Sequence, residues 1–310
     1  MRALVTGATG FVGTAVVARL AGDHRHALRA VVRRNALGIP PNVECIRGDL
    51  APDANWQSAL AGVDVIVHLA ARVHVMKERS ADALAEFRRV NVDGTSCLAR
   101  QAAAAGVRRF ISLSSIKIHG ELGTFRETDV AAPVDAYGIS KYEAETALRQ
   151  IAADTGMEVV IIRAPLIYGV GVRANFLALI QAVARGIPLP FGAIHNRRSL
   201  LALDNLVDFI RTCIEHPAAA NETFLVSDGD DLSTTDLIRR LAHAMDRPAR
   251  LIPVPVSLLM TAATLLGKQD VARRLLGSLT VDIAKARHRL DWTPPVSVDE
   301  GLKHAVTSRT

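Results

Sequence analysis

Tyr137 and Lys141 stand four residues apart in YGISK, at the head of a segment, ISKYEAETALRQIAADTG, that reads as a helix. Four residues is about one helical turn, so the two side chains share a face. An ammonium beside a phenol favours the phenolate and lowers the tyrosine pKa from its ordinary value of roughly 10. The pair is thereby expected to exchange protons near neutral pH. The same spacing also occurs on idle helix surfaces, so its assignment depends on the rest of the chain.

A second chemical element opens the chain. TGATGFVG carries Gly7, Gly10 and Gly13 between an apolar run and a helical pattern. Glycines there let the backbone approach a pyrophosphate, and the amides of the following helix favour the anion. Gly7, Thr9, Gly10, Phe11, Val12 and Gly13 are the candidate dinucleotide contacts of this loop. An NAD enzyme usually ends its second strand with an acid for the ribose hydroxyls. This chain has Arg33 and Arg34 at that place. Two guanidiniums attract a 2′-phosphate, which favours NADP(H) as cofactor over NAD(H). Asp49 and Leu50, in GDL after the third apolar run, are further cofactor candidates, with Asp49 accepting from the adenine amino group.

These groups need a scaffold. ALVTG (3–7), ALRAVV (27–32), VECIRG (43–48), VDVIVHLA (63–70), RRFISLSS (108–115) and EVVIIRAP (158–165) read as strands buried on both faces. Helical patterns separate them: FVGTAVVARLAG, NWQSALAG, the long ALAEFRRVNVDGTSCLARQAAAAG and SKYEAETALRQIAADTG. Such alternation predicts an α/β fold of Rossmann type, a doubly wound parallel sheet with a smaller, mostly helical C-terminal substrate lobe. The dinucleotide domain is assigned to 1–167, with 199–228 returning to it through a strand at TFLVSD. The lobe is assigned to 168–198 and 229–310.

Composition narrows the class. The 310 residues include 49% hydrophobic and 22% charged side chains, with a net charge of +6, as in soluble globular proteins. The arginines are scattered as pairs and form no nucleic-acid motif, so anionic small molecules account for the charge. Cys45, Cys97 and Cys213 are odd in number and far apart, which predicts free thiols, as small core residues, in the reducing cytoplasm. No segment reads as a signal peptide or a membrane span, so the chain is not expected to be membrane-embedded. The apolar stretch LIPVPVSLLMTAATLLG (251–267) reads as a helix of the lobe.

The motifs in combination resemble the extended short-chain dehydrogenase/reductase family of sugar-nucleotide epimerases and reductases. The matching segments are TGATGFVG, HLAA (68–71), NVDGT (91–95), SLSSIKIHG (112–120), YGISK, RAPLIYG (163–169), RRSLLALDNLVD (197–208) and KARHRLDWTPP (285–295). The resemblance implies that Tyr137 is the acid/base, that Lys141 holds the nicotinamide ribose, and that Ser115 hydrogen-bonds the reacting oxygen. Leu69, Ala70, Ala71, Asn91, Ser114 and Pro165 fall at cofactor positions. For a UDP-sugar substrate it implies Lys117, Asn175, Phe191, Arg198 and Arg274 as contacts, with Arg72, His74 and His119 as further lining. Leu166 replaces an asparagine that the family often has. Related enzymes dimerise through a four-helix bundle; here that implies a homodimer through helices near 95–105 and 140–153.

The family pattern of dehydratases places an Asp and a Glu after the Ser/Thr. This chain has Ile116 and Lys117 there, which disfavours dehydration. The wording SSIKIHG, RRSLLALDNLVD and RRLLGSLTVD resembles the UDP-N-acetylquinovosamine dehydrogenase branch. The expected reaction is therefore reduction of a UDP-4-keto-6-deoxy-N-acetylhexosamine at C4, as in O-antigen synthesis. A UDP-sugar 4-epimerase with bound NAD and a non-catalytic NADP-binding sensor are the alternatives.

Overall fold

A computed structural model of the chain describes residues 1–23, 25–34, 36–73 and 82–307. The first half supplies β1 (Arg2–Thr6), α1 (Phe11–Gly22), β2 (Ala27–Val32), β3 (Glu44–Arg47), α2 (Gln57–Leu60) and β4 (Val65–His68). Next come α3 (Ala83–Arg88), a π-helical segment (Arg89–Gly94), α4 (Thr95–Ala104), β5 (Arg109–Ser115), β6 (Gly123–Phe125), α5 (Ala136–Thr155) and β7 (Glu158–Ala164). The remainder adds β8 (Leu166–Tyr168), α6 (Ala174–Ala184), β9 (Leu200–Ala202), α7 (Leu203–Glu215), β10 (Thr223–Leu225) and α8 (Thr234–Ala244). The chain ends with α9 (Val256–Leu265), α10 (Gln269–Leu276), β11 (Leu279–Val281), α11 (Ala284–Leu290) and α12 (Val298–Thr307).

Seven parallel strands form the main sheet in the order β10-β7-β5-β4-β1-β2-β3. Runs such as VIVH and EVVIIRA are rich in β-branched residues and are buried nearly throughout, because helices cover both faces. One face packs Val16, Val17 and Leu20 of α1 with Leu206, Phe209 and Ile210 of α7. The other packs Leu98 and Ala102 of α4 with Leu148 and Ile151 of α5. The sheet is thus a Rossmann-type, doubly wound α/β layer. The strand order reverses between β1 and β4, and the crevice beyond their carboxyl ends is where such sheets bind ligands.

Two expectations are corrected. β3 is largely exposed rather than buried on both faces, because it is the outermost strand. The long helical pattern after residue 82 is broken into α3, a π-helical turn and α4. The turn brings Gly94 against Leu50, where a Cβ would come within 2.9 Å of the leucine Cγ. Of the cysteines, Cys213 is core, Cys97 is half-buried and Cys45 is exposed on the edge strand; all are free thiols.

Smaller pairings accompany the sheet: β6 with β11, and β8 with β9. Tyr168, Phe176, Leu241 and Leu302 centre a second apolar cluster between α6, α8 and α12. Among the described residues no helix is long and apolar enough to cross a membrane.

Candidate active site

The loop after β1 is shaped by contacts that leave no room for a Cβ. Gly7 has φ +67°, and a Cβ on it would lie 2.7 Å from the Ala70 amide nitrogen. A Cβ on Gly13 would lie 2.0 Å from the Gly7 carbonyl oxygen. The Gly10 amide donates to that same carbonyl at 2.9 Å, closing the turn. Thr6 Oγ1 accepts from the amides of Leu69 and Ala70, each at 3.2 Å, which ties the β4 end to the glycine loop. The loop backbone and the first turn of α1 are therefore free to face a pyrophosphate. Thr9 and Gly10 are exposed, and Phe11, Val12, Leu69, Ala70 and Ala71 are half-buried around them.

Beside this loop lies a cavity of about 670 Å³ lined by Thr9, Arg33, Arg34, Arg47, Gly48 and Asp49. Arg33 and Arg34 meet there as the sequence predicts. Arg47, at the end of β3, is a third guanidinium that sequence reasoning missed; the strand-end position that flagged the other two would have found it. The group as a whole suits a dinucleotide: a glycine cradle, a helix start, and a cationic recess with one carboxylate. Leu50 is buried next to it, and its amide donates to Asp49 Oδ1 at 2.9 Å.

The three residues predicted to react come from two elements. β5 delivers Ser115 at its end, and α5 delivers Tyr137 and Lys141 from its first turns. Asp135 caps α5, its Oδ1 accepting from the Gly138 amide at 2.7 Å. Ser115 lies near enough to the Tyr137 phenol to favour its ionised form, and the Tyr137 ring packs edge-on to Phe87 at 6.1 Å. Lys141 is buried and its Nζ donates to the Leu113 carbonyl at 2.7 Å. The three predicted residues are thus adjacent.

Their electrostatics differ from expectation. Burial pushes the Tyr137 phenol up to about 12, Ser115 offsets part of this, and Asp135 adds to it. The lowered phenol expected from a neighbouring ammonium is absent, because desolvation outweighs the opposing effect of Ser115. Burial also depresses Lys141 to about 8, against a smaller pull upward from Glu145.

The π-helical turn has a purpose beyond the loop contact. It buries Asn91, whose Oδ1 accepts from the Arg72 amide at 2.8 Å. Its Nδ2 donates to Arg72 O and to Ser140 Oγ, each at 3.0 Å, and Ser140 Oγ donates to Tyr137 O at 2.8 Å. Asn91 therefore fixes the turn of α5 that carries the tyrosine. His68, at the end of β4, is held between Thr6 Oγ1 (2.8 Å) and Thr95 Oγ1 (3.0 Å) and is pushed down to about 3 by burial and then by Lys141. Ser114 and Pro165 are buried beside the strand ends. Leu166 follows, exposed, at the start of β8.

On the lobe side Glu121 gathers cations. Its Oε1 lies 3.6 Å from Lys117 Nζ and 3.5 Å from Arg274 Nε, and its charge acts on the half-buried Arg198. Lys117 also pairs with Asp135, and Arg198 Nη1 donates to Gly277 O at 3.1 Å. Lys117, Arg198 and Arg274 are therefore brought together. Asn175 stands exposed in the first turn of α6, and Phe191 packs toward Val183, Ile238 and Ala242. Glu121 and Asp135 went unnoticed in the sequence, although an Asp directly before a helix start is a capping signal.

His119 is structural rather than pocket-lining. It stacks on Phe125 at 5.2 Å, and its Nε2 is 2.8 Å from Arg163 Nη1. Arg72 places its guanidinium over the Phe87 ring at 5.5 Å. His74 lies outside the described residues.

Known proteins align with this arrangement. A UDP-glucose 4-epimerase of Vibrio cholerae is 46% identical over 306 residues, covering 97% of this chain and 93% of its own. The fold superposes on a UDP-glucuronic acid 4-epimerase of Bacillus cereus in complex with NAD at a TM-score of 0.81, with 21% identity and 99% and 98% of the two chains covered. MoeE5 in complex with UDP-glucose and NAD gives 0.79 at 25% identity, covering 99% and 97%. The pattern of the NAD dependent epimerase/dehydratase family runs through residues 3–227, from β1 past the end of β10. On that match and the 46% identity over nearly the whole chain, the chain belongs to the NAD dependent epimerase/dehydratase family.

Proposed function

We propose that the protein is an NADPH-dependent oxidoreductase that reduces the C4 keto group of a UDP-4-keto-6-deoxy-N-acetylhexosamine. The observation that carries the cofactor half is the recess formed by Arg33, Arg34 and Arg47. Three guanidiniums there suit a 2′-phosphate better than two ribose hydroxyls. The same recess carries the direction, because a cofactor taken up as NADPH and released oxidised suits net reduction, whereas an epimerase keeps one NAD bound and recycles its hydride. Tyr137 is then the acid for a carbonyl becoming an alkoxide.

Bound nicotinamide supplies the hydride. Tyr137 donates its proton to the alkoxide oxygen, and Ser115 Oγ–H stabilises the same oxygen as its charge grows. Asn91, through Ser140, holds the tyrosine's turn in place. Lys141, anchored on Leu113 O, keeps a cation on that face of the helix below about pH 8. Lys117, Arg198 and Arg274 hold the substrate diphosphate. Ile116 is buried and supplies no acid or base beside Ser115, which supports reduction over dehydration.

A UDP-sugar 4-epimerase is the second reading, favoured by the similarity to the Vibrio cholerae enzyme. The two part in one experiment: UDP-glucose and UDP-N-acetylglucosamine given to the protein alone, and the 4-keto-6-deoxy sugar given with NADPH. Consumption of NADPH with the keto sugar, and no interconversion without cofactor, is the expected result. Interconversion without added cofactor overturns the reductase. No turnover in either arm leaves an NADP-binding sensor.

A further inference from the structure

α9 has no buried residue. Its Leu258 and Leu265 are 60% and 83% exposed, and Leu266 just after it is 71% exposed. Positions 258 and 265 are two turns apart and share one helix face with Thr261 and Ala262. Ile252, nearly half exposed, precedes the helix, and its amide donates to Leu189 O at 2.9 Å. That bond sets it beside the segment bearing the exposed Ile187. Large apolar side chains clustered in solvent in this way mark an interaction surface.

Cations outnumber acids around this face. No charged residue occurs between Arg250 and Lys268, and no carboxylate occurs between Asp246 and Asp270 or between Glu158 and Asp204. Arg185, Arg247, Arg250, Lys268 and Arg273 are exposed around it, and none makes an ion pair among the described residues. A built Cβ at Gly186 lies 3.6 Å from the Arg250 guanidinium carbon, so Arg185 and Arg250 border the same edge. Exposed leucines on α9 and cations at its flanks supply the apolar area and the charge attraction on which binding at a lipid interface depends.

From this charge complementarity we infer that α9 docks on a membrane surface bearing anionic headgroups. Leu258, Leu265 and Leu266 enter the headgroup boundary, and the flanking arginines and Lys268 meet lipid phosphates. At ten residues α9 lies on the bilayer and does not cross it. α10 packs on α9 and carries both Arg273, exposed, and Arg274, which faces Glu121. Docking therefore sets the substrate-side mouth of the cleft next to the bilayer. The inference does not depend on which sugar is reduced.

Flotation of the full chain with vesicles tests it. Vesicles of phosphatidylcholine mixed with phosphatidylglycerol should carry at least about ten-fold more protein than phosphatidylcholine alone, since each interfacial cation adds roughly five-fold to partitioning. Added salt should reduce the effect. Leu265→Gln/Leu266→Gln should abolish it while melting like the wild type, and Arg250→Gln/Lys268→Gln should weaken it by more than about ten-fold. No enrichment on the anionic vesicles overturns the inference. So does a wild-type dimer that the leucine variant converts to monomer, because a second copy then covers the face.

Discussion

Lys141 Nζ sits 2.7 Å from the carbonyl oxygen of Leu113, a bond that pins the catalytic turn of α5 to the end of β5. Burial has already lowered this ammonium to about 8. In the unfolded chain it titrates near its ordinary 10.5, so between those values the unfolded state holds more protons and stability rises with pH. Lys141→Met should flatten that rise, measured by urea unfolding at pH 8 and 9.5, where the wild type gains about 2 kcal/mol. The same variant should lose at least about 100-fold in turnover, because the cation beside the tyrosine is gone.

Tyr137→Phe removes the proton donor and keeps the ring that packs on Phe87. Turnover should fall by roughly 10²–10⁴-fold, with the melting temperature and the cofactor-induced melting shift little changed. A variant that retains a tenth of the wild-type rate would sink the assignment of the phenol as the acid.

Arg47 lines the same recess as Arg33 and Arg34. If the three share a 2′-phosphate, Arg47→Ala should weaken NADPH by about ten-fold, near 1.4 kcal/mol, and leave NADH almost unaffected. Titration of both cofactors by intrinsic fluorescence decides this, and equal losses would remove Arg47 from the phosphate site.

His68 is locked neutral between two threonine hydroxyls, at about 3 against an ordinary 6.5. The unfolded histidine takes up protons below 6.5 while the folded one does not. The stability that this group contributes is complete above 6.5 and is lost as pH falls toward 3. Between pH 7 and 5 it should account for about 2 kcal/mol, and His68→Gln should show a shallower acid loss in urea unfolding.

Glu121 occupies the cations that are proposed to hold a diphosphate. Glu121→Gln should release Lys117 and Arg274 and lower the KM for the UDP-sugar by about three- to ten-fold, with kcat little altered, as expected for uniform binding. A raised KM would mean that the carboxylate orients those cations instead of competing for them.

The parts of this protein that depend on local spacing were readable in its sequence. Apolar runs of strand length alternating with helical patterns define a parallel sheet, since only burial on both faces tolerates such runs. The glycine loop, Arg33 and Arg34, and the Ser115, Tyr137 and Lys141 group announce themselves through residue type and interval. What the tertiary structure alone decided is how these groups are solvated and what else surrounds them. Whether a phenol is lowered by a neighbour or raised by burial depends on how much water the packed site leaves it, and here burial prevails. Arg47 joins Arg33 because β3 pairs with β2, and Arg274 meets Glu121 from a helix far along the chain, so only the fold decides those two meetings. The π-helical turn at Asn91 and the bare face of α9 are of the same kind, because packing against non-local neighbours, or its absence, sets both.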